Sequence, residues 1–388
     1  MHKTPSWIKN IIDPEIKSNS YQIPIYSPYL KGNEKKYLLR SLDSTWLSSK
    51  GELVKRYEKE FASFCQAPYA VSTSSGTSAL FLALKLLGIK PSDEVIVPTF
   101  TMISTAFAVT YTGAKPIFVD CRLDDGNISI EKIEQKITKR TKAIIPVHIY
   151  GNPNDLNSLY SLADKYKLTV IEDAAEAFGS EYKGSKIGGT GKIACFSSYV
   201  NKIVTTGEGG MITLFDKNHY KTLKKLNNYY FSDTRHFWHE KIGYNFKITN
   251  LQAAVGLAQL EQANQVINKK REIYKIYRKL LQSVREYFFP LSENNKGKSN
   301  YWHIAFRIAN TKNNLQKFRN LLADNGIETR TFFIPLHLQP PYRKTQYYGQ
   351  FPNSELLAKT GILLPSSPNL KKDQIERLCT LINKYFLR

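Results

Sequence analysis

Ser197-Ser198-Tyr199-Val200-Asn201-Lys202-Ile203-Val204-Thr205-Thr206-Gly207-Glu208-Gly209-Gly210-Met211 is a lysine-bearing turn, rich in glycine and hydroxyls, between two apolar runs. Ile193-Ala194-Cys195-Phe196 leads into it and Met211-Ile212-Thr213-Leu214 leads out. Runs of that length and composition read as buried strands, so the turn is pinned at both ends and Lys202 with it. Upstream, Leu168-Thr169-Val170-Ile171-Glu172-Asp173-Ala174-Ala175-Glu176 is another apolar run, and this one ends in acid. An amine and a carboxylate at the ends of neighbouring buried strands suit a pyridoxal phosphate site. The amine joins the cofactor covalently, and the carboxylate keeps the pyridine nitrogen protonated so that the ring withdraws electrons. A lysine and an aspartate by themselves are more often two surface charges; the surrounding residues give the pair its weight.

The same rhythm extends outward. Tyr69-Ala70-Val71-Ser72-Thr73, Glu94-Val95-Ile96-Val97-Pro98, Pro116-Ile117-Phe118-Val119-Asp120 and Ala143-Ile144-Ile145-Pro146-Val147 are short apolar, mostly β-branched runs. Helix-like segments such as Ser78-Ala79-Leu80-Phe81-Leu82-Ala83-Leu84-Lys85 separate them. Apolar strands alternating with helices predict an α/β fold with a mostly parallel sheet covered on both faces. Ligands of such sheets bind beyond the carboxyl ends of the strands, where Ser75, Asp173 and Ser197 fall. A long helical pattern runs from a cap at Thr249 or Asn250 to about Val284. A strand in Tyr301-Trp302-His303-Ile304-Ala305-Phe306-Arg307-Ile308 and helices over 315–325 and 372–386 complete a smaller α/β domain. Residues 292–298 read as a loop. The expected division is an N-terminal extension over 1–22, a large domain over 23–262 and a small C-terminal domain over 263–388.

A chain of 388 residues suits two domains better than one small core. Its 42% hydrophobic and 23% charged residues are those of a globular protein. No apolar run approaches the roughly 20 residues that cross a bilayer, and the N-terminus lacks a signal-peptide core, so a cytoplasmic enzyme with no membrane partner is expected. The cysteines Cys65, Cys121, Cys195 and Cys379 have no metal-binding spacing and read as reduced thiols, with no metal expected. The formal net charge of +22 admits attraction to a phosphorylated ligand. Solvated lysines account for it more simply, because no block of like charge marks a nucleic-acid tail.

Ser74-Ser75-Gly76-Thr77 joins the first strand to a helix. There the glycine permits close backbone approach, and the helix N-terminus offers free N–H groups to a phosphate. Plain capping by a serine is the competing account. Ser197 can give its hydroxyl to the same phosphate. Glu176 lies one turn beyond Asp173 and is placed to face the phenolic oxygen of the ring. The glycines after Thr206 read as a flexible turn that lets Lys202 swing.

In sequence order, Ser75-Gly76-Thr77, Glu172-Asp173-Ala174-Ala175-Glu176-Ala177-Phe178-Gly179, the Asn201-Lys202 to Met211 stretch and Gly243-Tyr244-Asn245 resemble the nucleotide-sugar aminotransferases of the DegT/DnrJ/EryC1/StrS family. The resemblance runs from about Ile23 to the end. It implies a fold type I PLP-dependent aminotransferase, with a mostly parallel seven-stranded sheet in the large domain. It also implies Lys202 as Schiff-base lysine and proton shuttle, and Asp173 on the pyridine nitrogen. Ser75, Gly76, Thr77 and Ser197 would surround the phosphate, and Met102 and Glu176 would line the cofactor. Asn245 would reach the phosphate of a partner subunit, which makes a homodimer with shared sites. Three further stretches, 43–51, 238–245 and 327–330, resemble those members that aminate C4 of GDP-4-keto-6-deoxymannose with L-glutamate. On that likeness Trp46, Ser48, Lys50, Arg330 and His337 would line the sugar-nucleotide side; an ordinary loop histidine remains the alternative for His337.

The chain departs from the family pattern at Met102, where an aromatic ring over the cofactor is frequent, and at Lys247, where an arginine is. It departs again at Val200, where a glycine is usual, and there a side chain would restrict the approach to Lys202. A sugar dehydratase of the same family would carry histidine in place of Lys202. An aminotransferase acting at C3 or on a UDP- or dTDP-sugar stays open, as does a non-catalytic regulator on the same fold.

Overall fold

The computed structural model describes residues 21–235, 237–309, 315–343 and 350–387. Most of the expected N-terminal extension lies outside the described residues. Along the chain come strands β1 (Tyr69–Thr73), β2 (Glu94–Pro98), β3 (Lys115–Val119), β4 (Thr141–Ile144) and β5 (Thr169–Asp173), then the two-residue β6 (Glu181–Tyr182) and β7 (Ser185–Lys186). The series continues with β8 (Ile193–Ser197), β9 (Gly210–Leu214), β10 (Phe288–Pro290), β11 (Gly297–Lys298), β12 (Ile304–Ile308), β13 (Arg330–Thr331) and β14 (Gly361–Leu364).

The larger sheet has seven strands in the order β1-β9-β8-β5-β4-β2-β3. All its pairings are parallel except those of β9, which runs antiparallel to both β1 and β8. Its strands are apolar runs because helices cover both faces. The helix Gly76–Leu86, between the sheet and the helix Ser104–Tyr111, buries every residue from Ser78 to Leu84, as a helix enclosed on all sides does.

The register positions the site. β5 pairs with β8 through Asp173 opposite Cys195, so Asp173 and Ser197 reach the same sheet edge. Because β9 runs backwards, Gly210 pairs with Ser197 on one side and Thr73 on the other. The chain is tight there: a Cβ on Gly210 would lie 2.5 Å from the carbonyl oxygen of Ser75, closer than any side chain can approach, so glycine is required.

A second sheet, ordered β10-β12-β14-β13, is antiparallel throughout. The helix Lys372–Phe386 falls where the sequence places it and buries Ile375, Leu378 and Ile382. Three expectations change. The long helix is two, Asn250–Glu261 and Ala263–Leu280, followed by a 3-10 turn at Gln282–Val284. Thr249 caps the first helix in a reciprocal box with Gln252. At the junction the Gln262 N–H turns to the Gln259 carbonyl, 3.2 Å away, so the i to i−4 ladder breaks. Within the expected loop over 292–298, β11 pairs with β6. Ile23, expected to open the large domain, instead bridges to Ile327 and packs in the core of the second sheet with Ile304 and Phe306.

Candidate active site

Between the carboxyl edge of the larger sheet and the second sheet lies a cleft of about 880 Å³. Lys202, Asp173, Glu176, Ser75, Gly76, Thr77, Met102, Ser197 and Arg330 all line it. They come from five separate stretches of chain, so the sheet edge, not sequence proximity, gathers them.

Asp173 ends β5 and is 3% exposed. Its carboxylate accepts hydrogen bonds from the Thr105 hydroxyl at 2.8 Å and the Ala175 N–H at 3.1 Å. Burial pushes its pKa up, while these donors and the charge of Lys202 oppose the rise. Glu176 takes the Tyr150 N–H at 2.6 Å; burial raises its pKa also, against the pull of Lys202. The Lys202 amine moves the other way. Burial holds it below the ordinary lysine value, and the charges of Glu176 and Asp173 restrain the fall. One buried setting thus makes the lysine a weaker base, unprotonated nearer neutrality, and the carboxyls weaker acids.

The turn carrying Lys202 is not the loose swing expected. The Ser198 N–H donates to the Gly209 carbonyl at 2.8 Å and the Thr206 N–H to the Ser198 carbonyl at 2.9 Å. Thr205 and Thr206 are buried. Movement of the amine therefore belongs to its side chain. Val200, where a glycine is usual, is 40% exposed and lines the cleft beside the Lys202 turn. Met102 is 51% exposed and also lines the cleft.

Ser75 caps the helix Gly76–Leu86: its hydroxyl accepts the Ser78 N–H at 3.0 Å, and the Ser78 hydroxyl accepts the Ser75 N–H at 2.9 Å. That reciprocal cap occupies the Ser75 side chain, as the capping account anticipates, and does not use the N–H groups of Gly76 and Thr77. Gly76 sits hard against Ser197, whose Cβ would be 2.9 Å from an added Cβ. A helix N-terminus with closely approaching backbone and two hydroxyl residues fits a phosphate. Asp173 fits a protonated ring nitrogen, and Lys202 fits covalent attachment. The donor set therefore matches pyridoxal phosphate. No group of three or more His, Cys, Asp or Glu that could hold a metal occurs among the described residues.

Other expected residues stand elsewhere. Trp46 and Lys50 line a separate cavity of about 350 Å³ with Arg40, Lys55 and Asn250. Asn250 fixes that loop by donating to the Trp46 carbonyl at 2.7 Å. Ser48 is exposed in the same loop and its carbonyl accepts the Asn250 N–H at 3.1 Å. His337 is 1% exposed and lies outside the cleft lining, a correction to its expected place on the substrate side. Thr99 holds it: the Thr99 hydroxyl oxygen accepts the His337 N–H at 3.2 Å and stands 2.8 Å from its Nδ1. Asn245 is likewise off the cleft, bridged to Asn228 and accepting from the Lys247 ammonium.

Sequence reasoning missed Thr105, Tyr150 and Trp302. Thr105 lies one helical turn beyond Thr101 of the motif Pro98-Thr99-Phe100-Thr101, a spacing that could have found it. Trp302 stood inside what read as an ordinary strand, yet its ring centre is 3.5 Å from the Lys202 amine nitrogen.

Residues 28–383 match the DegT/DnrJ/EryC1/StrS aminotransferase family. GDP-perosamine synthase of Escherichia coli O157:H7 is 45% identical over 364 residues, 94% of this chain and 98% of that protein. The GDP-perosamine synthase of Vibrio cholerae is 39% identical over 94% of this chain and 99% of its own. Among solved structures, S. venezuelae DesV in complex with a ketimine intermediate superposes with a TM-score of 0.87 at 32% identity, covering 92% of this chain and 95% of that one. The seven-stranded fold, the cofactor chemistry of the cleft and these likenesses agree, and the chain belongs to the DegT/DnrJ/EryC1/StrS family as a pyridoxal phosphate-dependent sugar aminotransferase.

Proposed function

We propose that this chain transfers the amino group of L-glutamate to C4 of GDP-4-keto-6-deoxy-D-mannose, giving GDP-perosamine. The observation that carries the chemistry is the Lys202 amine buried between Asp173 and Glu176 in the cleft. The likeness to two GDP-perosamine synthases supports the choice of substrate.

When bound here, pyridoxal phosphate supplies an electron sink for negative charge on the carbon that loses or gains a proton. Asp173 keeps a negative charge in the cleft for the ring nitrogen, helped by Thr105 and the Ala175 N–H. The N–H groups of Gly76 and Thr77, with the Ser197 hydroxyl, would hold its phosphate. Glu176, in the cleft lining, would face the phenolic oxygen of the ring. The Lys202 amine, made less basic by burial, accepts the α-proton of glutamate in one half-reaction. It delivers a proton to C4 of the sugar in the other. Arg330, whose guanidinium also donates to Glu328 at 2.6 Å, offers positive charge to the carboxylate or phosphate of the substrates. Asn245, with its side chain off its own cleft, is offered to the phosphate of a second copy, and the loop 46–50 to that copy's sugar nucleotide. A homodimer with shared sites follows. Four buried free thiols fit a cytoplasmic setting.

The test is the visible spectrum of cofactor-loaded protein, followed through addition of L-glutamate and then of GDP-4-keto-6-deoxymannose. Loss of the absorbance band with glutamate and its return with the GDP-sugar is the expected result. Return only with a UDP- or dTDP-sugar keeps the reaction class and refutes the nucleotide. A band that glutamate never changes refutes the donor.

A further inference from the structure

The group in contact with the Lys202 amine is aromatic. Nζ stands 3.5 Å from the centre of the Trp302 ring. Trp302 is 4% exposed and is fixed at each of its polar atoms. Its indole N–H donates to the carbonyl of Asn201, the residue before the lysine, at 2.8 Å. Its backbone N–H donates to Asn300 Oδ1 at 2.8 Å. Its carbonyl accepts from the ammonium of Lys270 at 3.0 Å.

Lys270 is itself fully buried. Its remaining contacts are the Ser366 carbonyl at 2.6 Å and the Ser366 hydroxyl at 3.3 Å. Three oxygens around one nitrogen match the three protons of an ammonium group. Lys270 also lies 5.2 Å from the centre of the Tyr26 ring, and the Tyr26 hydroxyl donates to the Lys202 carbonyl at 3.0 Å. One buried lysine thus backs both aromatic residues that grip the lysine turn. An indole face presented to a desolvated amine binds its protonated form more strongly than water-exposed faces do.

We propose that Trp302 is the seat of the Lys202 amine, a positioning residue for the proton transfers, with Lys270 as the strut that fixes it. When free, the amine rests on the indole face instead of sampling solvent, and so stays within reach of the carbon it protonates. This rests on Lys202 being the reacting amine. The other charged and titratable groups around that amine are Asp173 at the end of β5, Glu176 in the next turn and Glu208 on its own turn. Tyr21, Tyr26, Tyr199, His303, Glu328 and Arg330 also line the cleft, with Lys270 behind. They remain the same in a Trp302 variant, so a change in the amine reports on the ring.

The experiment uses the full chain with its cofactor removed. Carbamylation of Lys202 by cyanate, followed across pH by peptide mass spectrometry, gives the pKa of the amine. The ring supports the ammonium form, so Trp302→Leu should lower that pKa by about one unit, a tenfold gain in free amine below both values. Trp302→Phe, which keeps a face and loses the indole N–H, should recover most of the shift. An unchanged value in Trp302→Leu overturns the proposal. Should the Leu variant not fold, the wild-type minus Trp302→Phe fluorescence difference serves instead. It should titrate with the amine and stop titrating in Lys202→Met; a difference that ignores Lys202 overturns the proposal equally. Lys202→Ala separates the two levels. Retained transamination there refutes the role of Lys202 itself, whereas an inactive Lys202→Ala with an unshifted Trp302→Leu refutes the seat alone.

Discussion

Thr105→Val tests whether Asp173 works as a supported anion. The exchange keeps the shape of the side chain and removes the hydroxyl that donates 2.8 Å to Asp173 Oδ2. A hydrogen bond to a buried charged group contributes about 1.5–3 kcal/mol, which equals about one to two pKa units. Burial already holds the Asp173 pKa above the usual carboxylate value, and losing a donor to the anion raises it further. The sign follows. A carboxyl with a raised folded pKa binds its proton more tightly folded than unfolded, so folding strengthens as pH falls from the folded toward the unfolded value. The variant should therefore be destabilised by about 1.5–3 kcal/mol at neutral pH in the cofactor-free state, with the deficit shrinking on acidification. Because the ring nitrogen needs the anion, the acid limb of kcat/KM should move up by about one to two units. Urea melts of the cofactor-free protein across pH, and kcat/KM profiles of the loaded enzyme, provide both readings; Thr105→Ser should keep the wild-type profile. An acid limb unmoved in Thr105→Val would refute the assignment of Asp173 as the anion that the activity requires.

Two further outcomes follow from the packing. Gly76→Ala places a Cβ 2.9 Å from that of Ser197 and should weaken pyridoxal phosphate binding about tenfold, a loss of roughly 1.4 kcal/mol, read by spectrophotometric titration; unchanged affinity removes this helix end from the phosphate site. Asn250→Ala strips the donor to the Trp46 carbonyl and the acceptor of the Leu53 N–H, so it should cost about 2 kcal/mol in a urea melt and speed proteolysis within residues 46–50; a variant as protease-resistant as wild type would show that the loop holds itself.

Much of the site was legible because it is written where strands end. Asp173 closes β5 and Ser197 closes β8, and β-branched runs with their terminators are local signals. The register that aligns those ends follows from parallel pairing. The helix over 372–386 was legible for a similar reason, as its apolar residues recur at helical spacing along one face. Contacts made across the chain were not legible. Trp302 reaches Lys202 from 100 residues away, and nothing in the local composition of its segment marks that destination; Thr105 reaches Asp173 from 68, and only its spacing from Thr101 hints at it. The break at Gln262 escaped for a different reason: helical spacing carries through it, and only the hydrogen bonding at the junction ends one helix and begins the next. The positions taken from resemblance divide on the same principle. Arg330 lines the cleft within one chain, whereas Trp46, Ser48, Lys50 and Asn245 do not. The likeness carried the identities of all these residues, and for Asn245 alone it also implied a place on a second copy.

The electrostatics of the cleft join these pieces into one device. Burial lowers the Lys202 pKa and raises those of Asp173 and Glu176; the two carboxylates restrain the fall at the amine, the amine restrains the rise at each carboxyl, and the charge of Asp173 adds to the rise at Glu176. Asp173 alone has both a hydroxyl and a backbone donor on its carboxylate, so it is the better held as an anion. Glu176 has the Tyr150 N–H and depends more on the lysine. Whenever the Lys202 amine is neutral, Glu176 loses the charge that opposes its burial and takes a proton more readily; when the amine is protonated, Glu176 releases it. The Lys202–Glu176 pair therefore changes net charge less than either group would alone. A base that must accept a proton in one half-reaction and return it in the other needs that property, because an uncompensated charge appearing in a buried cleft costs several kcal/mol. The neighbouring carboxyl keeps that cost small, and the fixed turn and the indole face keep the amine where it is used.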